Sequence, residues 1–241
     1  MIAMTIIDHS FQSDVDLQMG LAAVDLYRDI HKGIRAELFA LTATAGRIDP
    51  DDRADRAALA AHIEATADVL AMHADHEDGH IDPLLREHLP RLAERVHTDH
   101  AELEARFAAI TDLGHGLTGA AGTETRRIAH VLHLELSGFT SRYLAHQLVE
   151  ETQIMPALDA LLGAPGCGAL HGAIVGSIPP DELARALAFM LPAMNVHDRI
   201  EMLGGIRMAA PPEAFDGVVG LARSVLEPRD FNPLAAALGL A

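Results

Sequence analysis

The sequence predicts an all-α protein, built as an up-down-up-down four-helix bundle with a C-terminal extension of short helices. Apolar residues recur at three- and four-residue spacing from about residue 12 to 162, in a segment rich in Ala, Leu, Glu and Arg. Turn-like segments interrupt this pattern, and patterns typical of strands are almost absent. Four long helices joined by short loops are typical of such a bundle.

Each of the four long helices is bounded by residues that start or end helices. Asp49, Pro50 and Asp51 form a turn and a cap between the first two helices, and Gly114 and Gly116 follow the third. The predicted ranges, in chain order, are residues 14–44, 53–85, 90–113 and, from Thr123 or Thr125 onward, up to 162.

The character of the chain changes after the fourth helix. Residues 163–180 (GAPGCGALHGAIVGSIPP) are dense in Gly and Pro and predict a connector. Later proline and asparagine residues are helix start signals, and they predict short helices over 181–193, 196–209, 212–226 and 232–239. We therefore expect a bundle over 12–162, a connector over 163–180 and an extension over 181–241. The apolar face of that extension must be buried, either on the bundle or in a dimer contact.

Composition excludes several classes of protein. The 241 residues are 49% apolar and 22% charged, which is enough apolar material for a sizeable core. The formal net charge of −17 argues against nucleic acid or an anionic membrane as a partner. The single cysteine, Cys167, rules out an intrachain disulfide and a cysteine-rich metal site. No secretory signal and no run of twenty apolar residues is present, so we expect a cytoplasmic protein without a membrane partner.

The chain contains 15 histidines, and four of them belong to an internal repeat. The segments HADHEDGHIDP from His73 and HQLVEETQIMP from His146 both read His, three residues, Glu, a second acid, four residues, Pro. Each has a partner histidine upstream, because His31 precedes His73 by 42 residues and His100 precedes His146 by 46. The sequence therefore repeats one helical hairpin twice.

Helix geometry gives this repeat a chemical meaning. Residues four apart lie on one face of an α-helix, so His73 with Glu77, and His146 with Glu150, each present two donor groups together. Polar side chains in a bundle core are costly unless they are partnered, and a cation supplies that partner. Two metal ions that share two glutamates would each gain two imidazoles, with positions left for a solvent bridge and an exogenous ligand.

The segment of about residues 15–160 resembles the hemerythrin-like, or HHE cation-binding, domain family. The resemblance implies an oxygen-reactive, non-haem di-iron centre in the bundle core, with two iron ions, an oxo or hydroxo bridge, and two bridging glutamates. Ferritin-like di-iron proteins use a Glu-x-x-His pattern instead, of which the chain has no convincing pair. The ligands implied by the resemblance are His31, His73, Glu77, His100, His146 and Glu150.

The third helix departs from the family pattern. Oxygen-carrying hemerythrins have a second histidine there, four residues from the first, whereas the positions four either side of His100 are Val96 and Glu104. The site would then use His97, substitute Glu104, or leave one metal position open, and an open position favours reaction over reversible storage. His80 lies on the same helical stripe as His73 and is a further candidate ligand.

The only two tyrosines adjoin this pattern. Tyr27 precedes His31 by four residues and Tyr143 precedes His146 by three. Either hydroxyl could serve as a hydrogen-bond donor or redox relay near the metals, although a buried tyrosine that only packs is the commoner case.

The expected function is to bind or activate dioxygen or a related small oxidant such as peroxide or nitric oxide. The ligand set mixes imidazole with carboxylate and lacks thiolate, which favours iron over zinc, although affinity order alone does not decide the metal. The departure in the third helix tilts the prediction toward an oxidase, an oxygenase or a peroxide-consuming enzyme, with a small-molecule substrate. The alternatives are a non-catalytic oxygen or iron sensor that signals through the C-terminal helices, and a redox-inert zinc or structural bundle. A homodimer is compatible with each of them.

Overall fold

The computed structural model describes residues 22–240, and every regular element in this range is helical. The predicted all-α class is therefore confirmed. A five-residue π-helical segment, Glu150–Ile154, joins the fifth and sixth helices. The α-helices of the described range are α1 (Arg28–Ala45), α2 (Arg53–His80), α3 (Asp82–His88), α4 (Pro90–Gly119), α5 (Thr123–Val149), α6 (Met155–Ser177), α7 (Pro180–Ala193), α8 (Val196–Ala209), α9 (Pro212–Val225) and α10 (Pro228–Leu238).

Helix α1 begins later than the periodicity predicts. Residues 14–21 of the predicted helix lie outside the described range, and residues 22–27 are not helical. The Asp25 carboxylate accepts hydrogen bonds from the backbone N–H groups of Tyr27 and Arg28, both at 2.9 Å. Such local side-chain bonds compete with helix formation, so the predicted start was wrong over 22–27.

The second predicted helix, residues 53–85, is divided into α2 and α3. Pro83 lies in the first turn of α3 and cannot donate a hydrogen bond to the carbonyl of Gly79. The chain passes from one helix to the next at Ile81, which keeps a helical conformation.

One predicted helix end was also wrong because glycine did not end the helix. Helix α4 continues through Gly114 and Gly116 to Gly119. Gly114 is buried against α2, and a Cβ atom there would lie 3.0 Å from Ile63 Cδ1, so its small size serves close packing. The break at Gly163 (φ 62°, ψ 174°) agrees with the helix end predicted at residue 162, but the Gly/Pro-rich residues 163–180, predicted as a connector, are mostly helical because α6 continues beyond the break to Ser177.

The four long helices pack around a common apolar core. Helix α2 packs against α4, α4 against α5, α5 against α1 and α1 against α2. Their buried residues, which include Leu38, Ile63, Phe107 and Phe139, form one large cluster. A second apolar cluster, which includes Leu85, Val96 and Leu158, lies where α3, α4 and α6 meet.

On every helix that carries a predicted ligand, that ligand lies between residues of the first cluster and residues of the second. On α4, His100 follows Val96 of the second cluster and precedes Leu103 of the first. On α5 and the π-helical segment, the order is Tyr143, then the ligand pair, then Ile154. The predicted ligands therefore form a polar layer between the two apolar clusters.

Helices α7 to α10 share a third apolar cluster of their own, and α7 packs against α1. Helices α1 and α7 approach each other closely at Gly33 of α1, where a Cβ atom would lie 2.5 Å from the ring of Phe189 of α7. Ion pairs lie beside this contact, because Lys32 and Arg28 of α1 both reach Asp198 of α8.

The helical run Thr123–Ser177 is long and apolar enough to cross a membrane, judged by length and composition alone. Its most apolar 18-residue window has a mean hydropathy of 1.3 and is 11% buried. A single such run is weak support for a membrane protein, because helices of soluble proteins pass the same criterion. The expectation of no membrane partner stays a prediction.

Candidate metal centre

The six predicted ligands converge in the polar layer. They form two groups of four, in each of which one ligand atom per residue lies within 4.8 Å of all the others. Glu77 and Glu150 belong to both groups. The first group, which we name the α1–α2 quartet, is His31, His73, Glu77 and Glu150; the second, the α4–α5 quartet, is Glu77, His100, His146 and Glu150.

In the α1–α2 quartet the imidazoles face one another through their Nε2 atoms. The Nε2 atom of His31 lies 3.3 Å from His73 Nε2 and 3.3 Å from Glu150 Oε2. The Nε2 atom of His73 lies 3.5 Å from Glu77 Oε1. Two imidazole nitrogens and two carboxylate oxygens thus point toward one small space.

The α4–α5 quartet uses the other oxygen of each glutamate. His100 Nε2 lies 3.2 Å from Glu77 Oε2, and His146 Nε2 lies 2.9 Å from Glu150 Oε1. Each carboxylate therefore presents one oxygen to each quartet. This is the arrangement that a pair of bridging carboxylates requires.

Burial makes this cluster unfavourable without a cation. All four carboxylate oxygens of Glu77 and Glu150 are buried, and within residues 22–240 the ion-pair contacts of these two glutamates are to histidine nitrogens alone. Burial, together with the charge of Glu150, raises the pKa of Glu77 to about 7. Burial also lowers the pKa of His73 to about 3, so that imidazole is neutral and free to bind a metal.

The remaining groups of the cluster keep their charges through contact with one another. Burial opposes protonation of His31 and His100, but contacts with the glutamates raise their pKa values to about 9 and about 11. Burial likewise opposes ionisation of Glu150, but three histidines hold the pKa of its carboxyl well below the usual range. Protons thus occupy positions where a metal ion would otherwise balance the carboxylates, so the donor set fits a cation.

Carboxylates outside the quartets orient the histidines. Glu151 Oε1 lies 3.0 Å from His31 Nδ1, and Asp78 Oδ1 lies 3.1 Å from His100 Nδ1. Because a carboxylate only accepts, Nδ1 of each ring donates and Nε2 is directed into the quartet. Sequence reasoning assigned no role to these two residues, although each is the second acid of the repeat.

The π-helical turn positions the consecutive glutamates. The backbone N–H of Met155 bonds to the carbonyl of Glu150, five residues earlier, instead of following the α-helical pattern. Glu150 reaches into both quartets while Glu151 reaches His31 and the guanidinium of Arg35. The local widening of the helix thus occurs where two adjacent carboxylates serve different partners.

Comparison with known proteins agrees with this geometry. The family model of the hemerythrin HHE cation-binding domain matches residues 22–158, more than half of the chain. The chain belongs to this family. The predicted family resemblance is therefore confirmed, and the hemerythrin-like domain is a metal-binding module, typically of iron. No curated protein and no solved structure matches the chain significantly.

Three candidate ligands lie outside the hemerythrin-like centre, and their prediction was wrong. His97 and Glu104 are exposed on α4, whose inward positions are occupied by Val96 and His100 among others. The side chain of His80 instead places Nε2 3.1 Å from Ser177 Oγ. Helical stripes drift around a long helix, so a position near the ligand stripe need not face the centre.

Both tyrosines adjoin the centre. The ring centroid of Tyr27 lies 5.1 Å from that of His31, and the ring of Tyr143 lies 5.8 Å from that of His146. Burial first, and then the charges of Glu77 and Glu150, raise both tyrosine pKa values well above their usual range. Both phenols are therefore protonated, and a role as hydrogen-bond donor or relay stays a prediction.

Two openings border the hemerythrin-like centre. The smaller is a cavity of about 10 Å³ that touches Tyr27, Glu77, His100 and Glu150 and has Val96 in its apolar wall. That volume is about one probe sphere, enough for a water-sized molecule. The larger, of about 230 Å³, is a surface groove that reaches His146.

Proposed function

We propose that this hemerythrin-like protein binds two iron ions and uses them to bind or activate dioxygen, peroxide or nitric oxide. The observation that supports the proposal is the sharing of Glu77 and Glu150, each with one oxygen directed to each quartet. The fold that positions them is proposed to be the up-down-up-down bundle formed by α1, α2, α4 and α5.

The donor set favours iron over zinc. Each quartet offers two imidazoles and two carboxylates, and no thiolate reaches either quartet among the described residues. When bound, a pair of iron ions supplies reversible electron transfer to a small oxidant. The histidines would hold the ions, and the two glutamates would bridge them.

The chain's own residues control access and protonation. Apolar clusters pack on both sides of the quartets, and the small cavity beside Glu77, His100 and Glu150 has room for a molecule of about the size of water. The protonated phenol of Tyr27 borders the same cavity and is suited to donate a hydrogen bond to a ligand there.

The residue four positions before His100 on α4 favours a reaction with oxidant over its reversible storage. Val96 lies four residues before His100, borders the small cavity and offers no donor atom. An ion held by the α4–α5 quartet would therefore gain no ligand from this position and could bind an exogenous one, in line with an oxidase, an oxygenase or a peroxide-consuming enzyme.

Metal analysis of the full chain tests this proposal. We expect about two iron ions per chain after aerobic purification, as six ligands with two bridging carboxylates predict, and an absorption change when the anaerobically reduced protein meets dioxygen. Zinc alone, with no iron retained after incubation with ferrous iron, would overturn the iron assignment. Absence of any metal after reconstitution would overturn the proposed centre.

A second candidate function is an oxygen or iron sensor whose metal state changes the conformation of the C-terminal helices. One contact favours it. Helix α1 carries His31 on one side, and on the other its Lys32 and Arg28 pair with Asp198 of α8. In this case, hydrogen exchange in α7 and α8 would change when ferrous iron is added to the metal-free full chain. Lys32→Met would weaken that response without lowering the iron content.

A further inference from the structure

A groove of about 230 Å³ lies between α4 and α5 on the side of His146. Its lining includes three arginines, Arg95, Arg106 and Arg142, together with Asp99 and Glu102. These charges give the groove a net charge of about +1, by the formal charges of arginine and carboxylate, on a chain whose formal net charge is −17. Because Glu135 pairs with Arg106 and balances this excess, the attraction of the groove for a small anion depends on Arg142.

Two buried nitrogen atoms of the groove residues lack a partner. His146 Nδ1 and Arg106 Nε have no hydrogen-bond partner within residues 22–240. Asp99 Oδ2 lies 3.7 Å from His146 Nδ1, which is too long for a hydrogen bond. Buried polar atoms without partners are rare, and here both belong to residues that line a space that a ligand can fill.

The arginines differ in how they are engaged. Arg106 donates to Glu135 at 2.9 Å, and Arg95 Nε lies 3.9 Å from Asp99. Arg142 makes no ion pair or hydrogen bond with any residue of the described range, and it is exposed. Gly138 of α5 leaves room for the guanidinium of Arg106, because a Cβ atom at this position would lie 3.0 Å from Arg106 Nη2.

We propose that this groove, which we name the arginine groove, binds a small organic acid next to His146. The carboxylate would bind the free guanidinium of Arg142, since arginine presents two parallel N–H groups to a carboxylate. The carbon body would lie over Leu103 and Ala145, which also line the groove. The volume and this apolar lining favour an organic acid over inorganic phosphate.

The arginine groove and the small cavity have no lining residue in common. The groove reaches the centre through His146, whereas the cavity reaches it through Glu77, His100 and Glu150. An organic acid and a small oxidant would thus approach from separate openings. Binding of the organic acid in the arginine groove does not require a metal. Only the interpretation of the groove as a substrate site rests on the proposed function.

Ligand binding by the full chain, with and without metal, tests the proposal. The probes are acetate, succinate, lactate and benzoate, with inorganic phosphate for comparison, followed by calorimetry and ligand-observed NMR. We expect at least one of the larger carboxylates to bind more tightly than phosphate. Arg142→Gln weakens that binding about tenfold or more, as loss of one charge-assisted pair predicts. Arg91→Gln, an exposed arginine of α4 outside the groove, leaves it unchanged.

A second variant separates shape from charge. Ala145 is exposed on α5, so Ala145→Leu fills the groove without altering charge or helix propensity greatly. We expect it to weaken succinate or benzoate binding and to leave phosphate binding unchanged. The proposal is overturned if no carboxylate binds at millimolar concentration, if Arg142→Gln and Arg91→Gln have equal effects, or if phosphate binds as tightly as every carboxylate.

The two proposals fail in different ways. Carboxylate binding by a chain that retains no iron would sustain the arginine groove and overturn the di-iron function. Two iron ions per chain without carboxylate binding would sustain the di-iron function and overturn the arginine groove.

Discussion

Arg35 binds Glu151 with both terminal nitrogens of its guanidinium, at 2.7 Å from Oε1 and 2.9 Å from Oε2. The same Oε1 atom lies 3.0 Å from Nδ1 of His31, so one carboxylate joins an arginine to a predicted metal ligand. These contacts lower the pKa of Glu151 to about 2, against the opposing effect of its burial. Glu151 is therefore an anion throughout the neutral range and acts only as an acceptor.

The first prediction concerns this orienting contact. Glu151→Gln retains the size of the side chain but removes the charge that fixes the His31 ring. We expect the affinity for ferrous iron to fall about 10- to 100-fold, as is usual when a carboxylate behind a ligating histidine is removed. Competition with a coloured chelator measures this affinity.

The matched control is Glu104→Gln, an exposed glutamate of α4 that lies outside both quartets. It should leave iron affinity unchanged. An equal effect of the two substitutions would show that Glu151 acts through overall charge and not through His31.

The second prediction concerns the cost of the bridging carboxylates. At pH 8, above the pKa of about 7, Glu77 is ionised in a buried site, where burial and the charge of Glu150 disfavour its charge more than the contact with His100 favours it. Glu77→Gln removes that charge, so we expect the metal-free variant to be more stable by about 1–3 kcal/mol. With iron added, the order reverses because a bridging ligand is lost.

Denaturant unfolding of both proteins, with and without ferrous iron, measures the two free energies of unfolding. Glu104→Gln again serves as the control, with no change in either condition expected. Greater stability of the parent chain in the absence of metal would contradict the interpretation of Glu77 as a destabilising group.

The repeat made the six central residues predictable. His-x-x-x-Glu spacing fixes which side chains share a helical face, and two copies with matching partners restrict how the hairpins pair. The spacing of residues on one helix does not reveal which residues of a neighbouring helix face them. Asp78 acts on His100 of α4 and Glu151 on His31 of α1, so their roles depend on the relative positions of two helices.

The two wrong helix boundaries have different physical origins. Gly114 looked like a helix end, but its missing side chain allows α4 to approach Ile63 of α2. The early start of the first helix was excluded by a side-chain turn at Asp25, which periodicity does not detect. Tertiary packing in one case and a local hydrogen bond in the other overrode the pattern.

The third prediction is a fall in stability of the metal-free chain as the pH rises above neutrality. His31 and His100 have folded-state pKa values of about 9 and about 11, against an ordinary value of 6.5. Between pH 7 and 9 the folded chain therefore binds protons that the unfolded chain has released. Their stabilisation is complete below pH 6.5 and is lost as the pH rises through the folded values.

We expect the free energy of unfolding of the metal-free chain to decrease by about 2–3 kcal/mol per pH unit over this range, because each of the two retained protons contributes about 1.4 kcal/mol per pH unit. Denaturant titrations at pH 7, 8 and 9 in the presence of a chelator measure the slope. The iron-loaded protein should show a much smaller slope, because the metal replaces the protons. A metal-free stability that is constant or rises with pH would contradict the assigned protonation.

The fourth prediction separates the two tyrosines. Tyr27 borders the small cavity beside Glu77, His100 and Glu150, whereas Tyr143 packs on Phe139 within the apolar core. Tyr27→Phe removes the one phenol placed to donate a hydrogen bond to a ligand in that cavity. We expect iron content to be retained while the oxidation of reduced protein by dioxygen slows about 10- to 100-fold, the range for loss of a positioned proton donor.

Stopped-flow absorption after anaerobic reduction measures this rate, and Tyr143→Phe is the matched control. The control should keep both the iron content and the oxidation rate, since its hydroxyl does not border the cavity. If both variants oxidise at the parent rate, Tyr27 serves packing alone. If both slow equally, the effect arises from the general environment of the histidines, because each tyrosine ring contacts one of them.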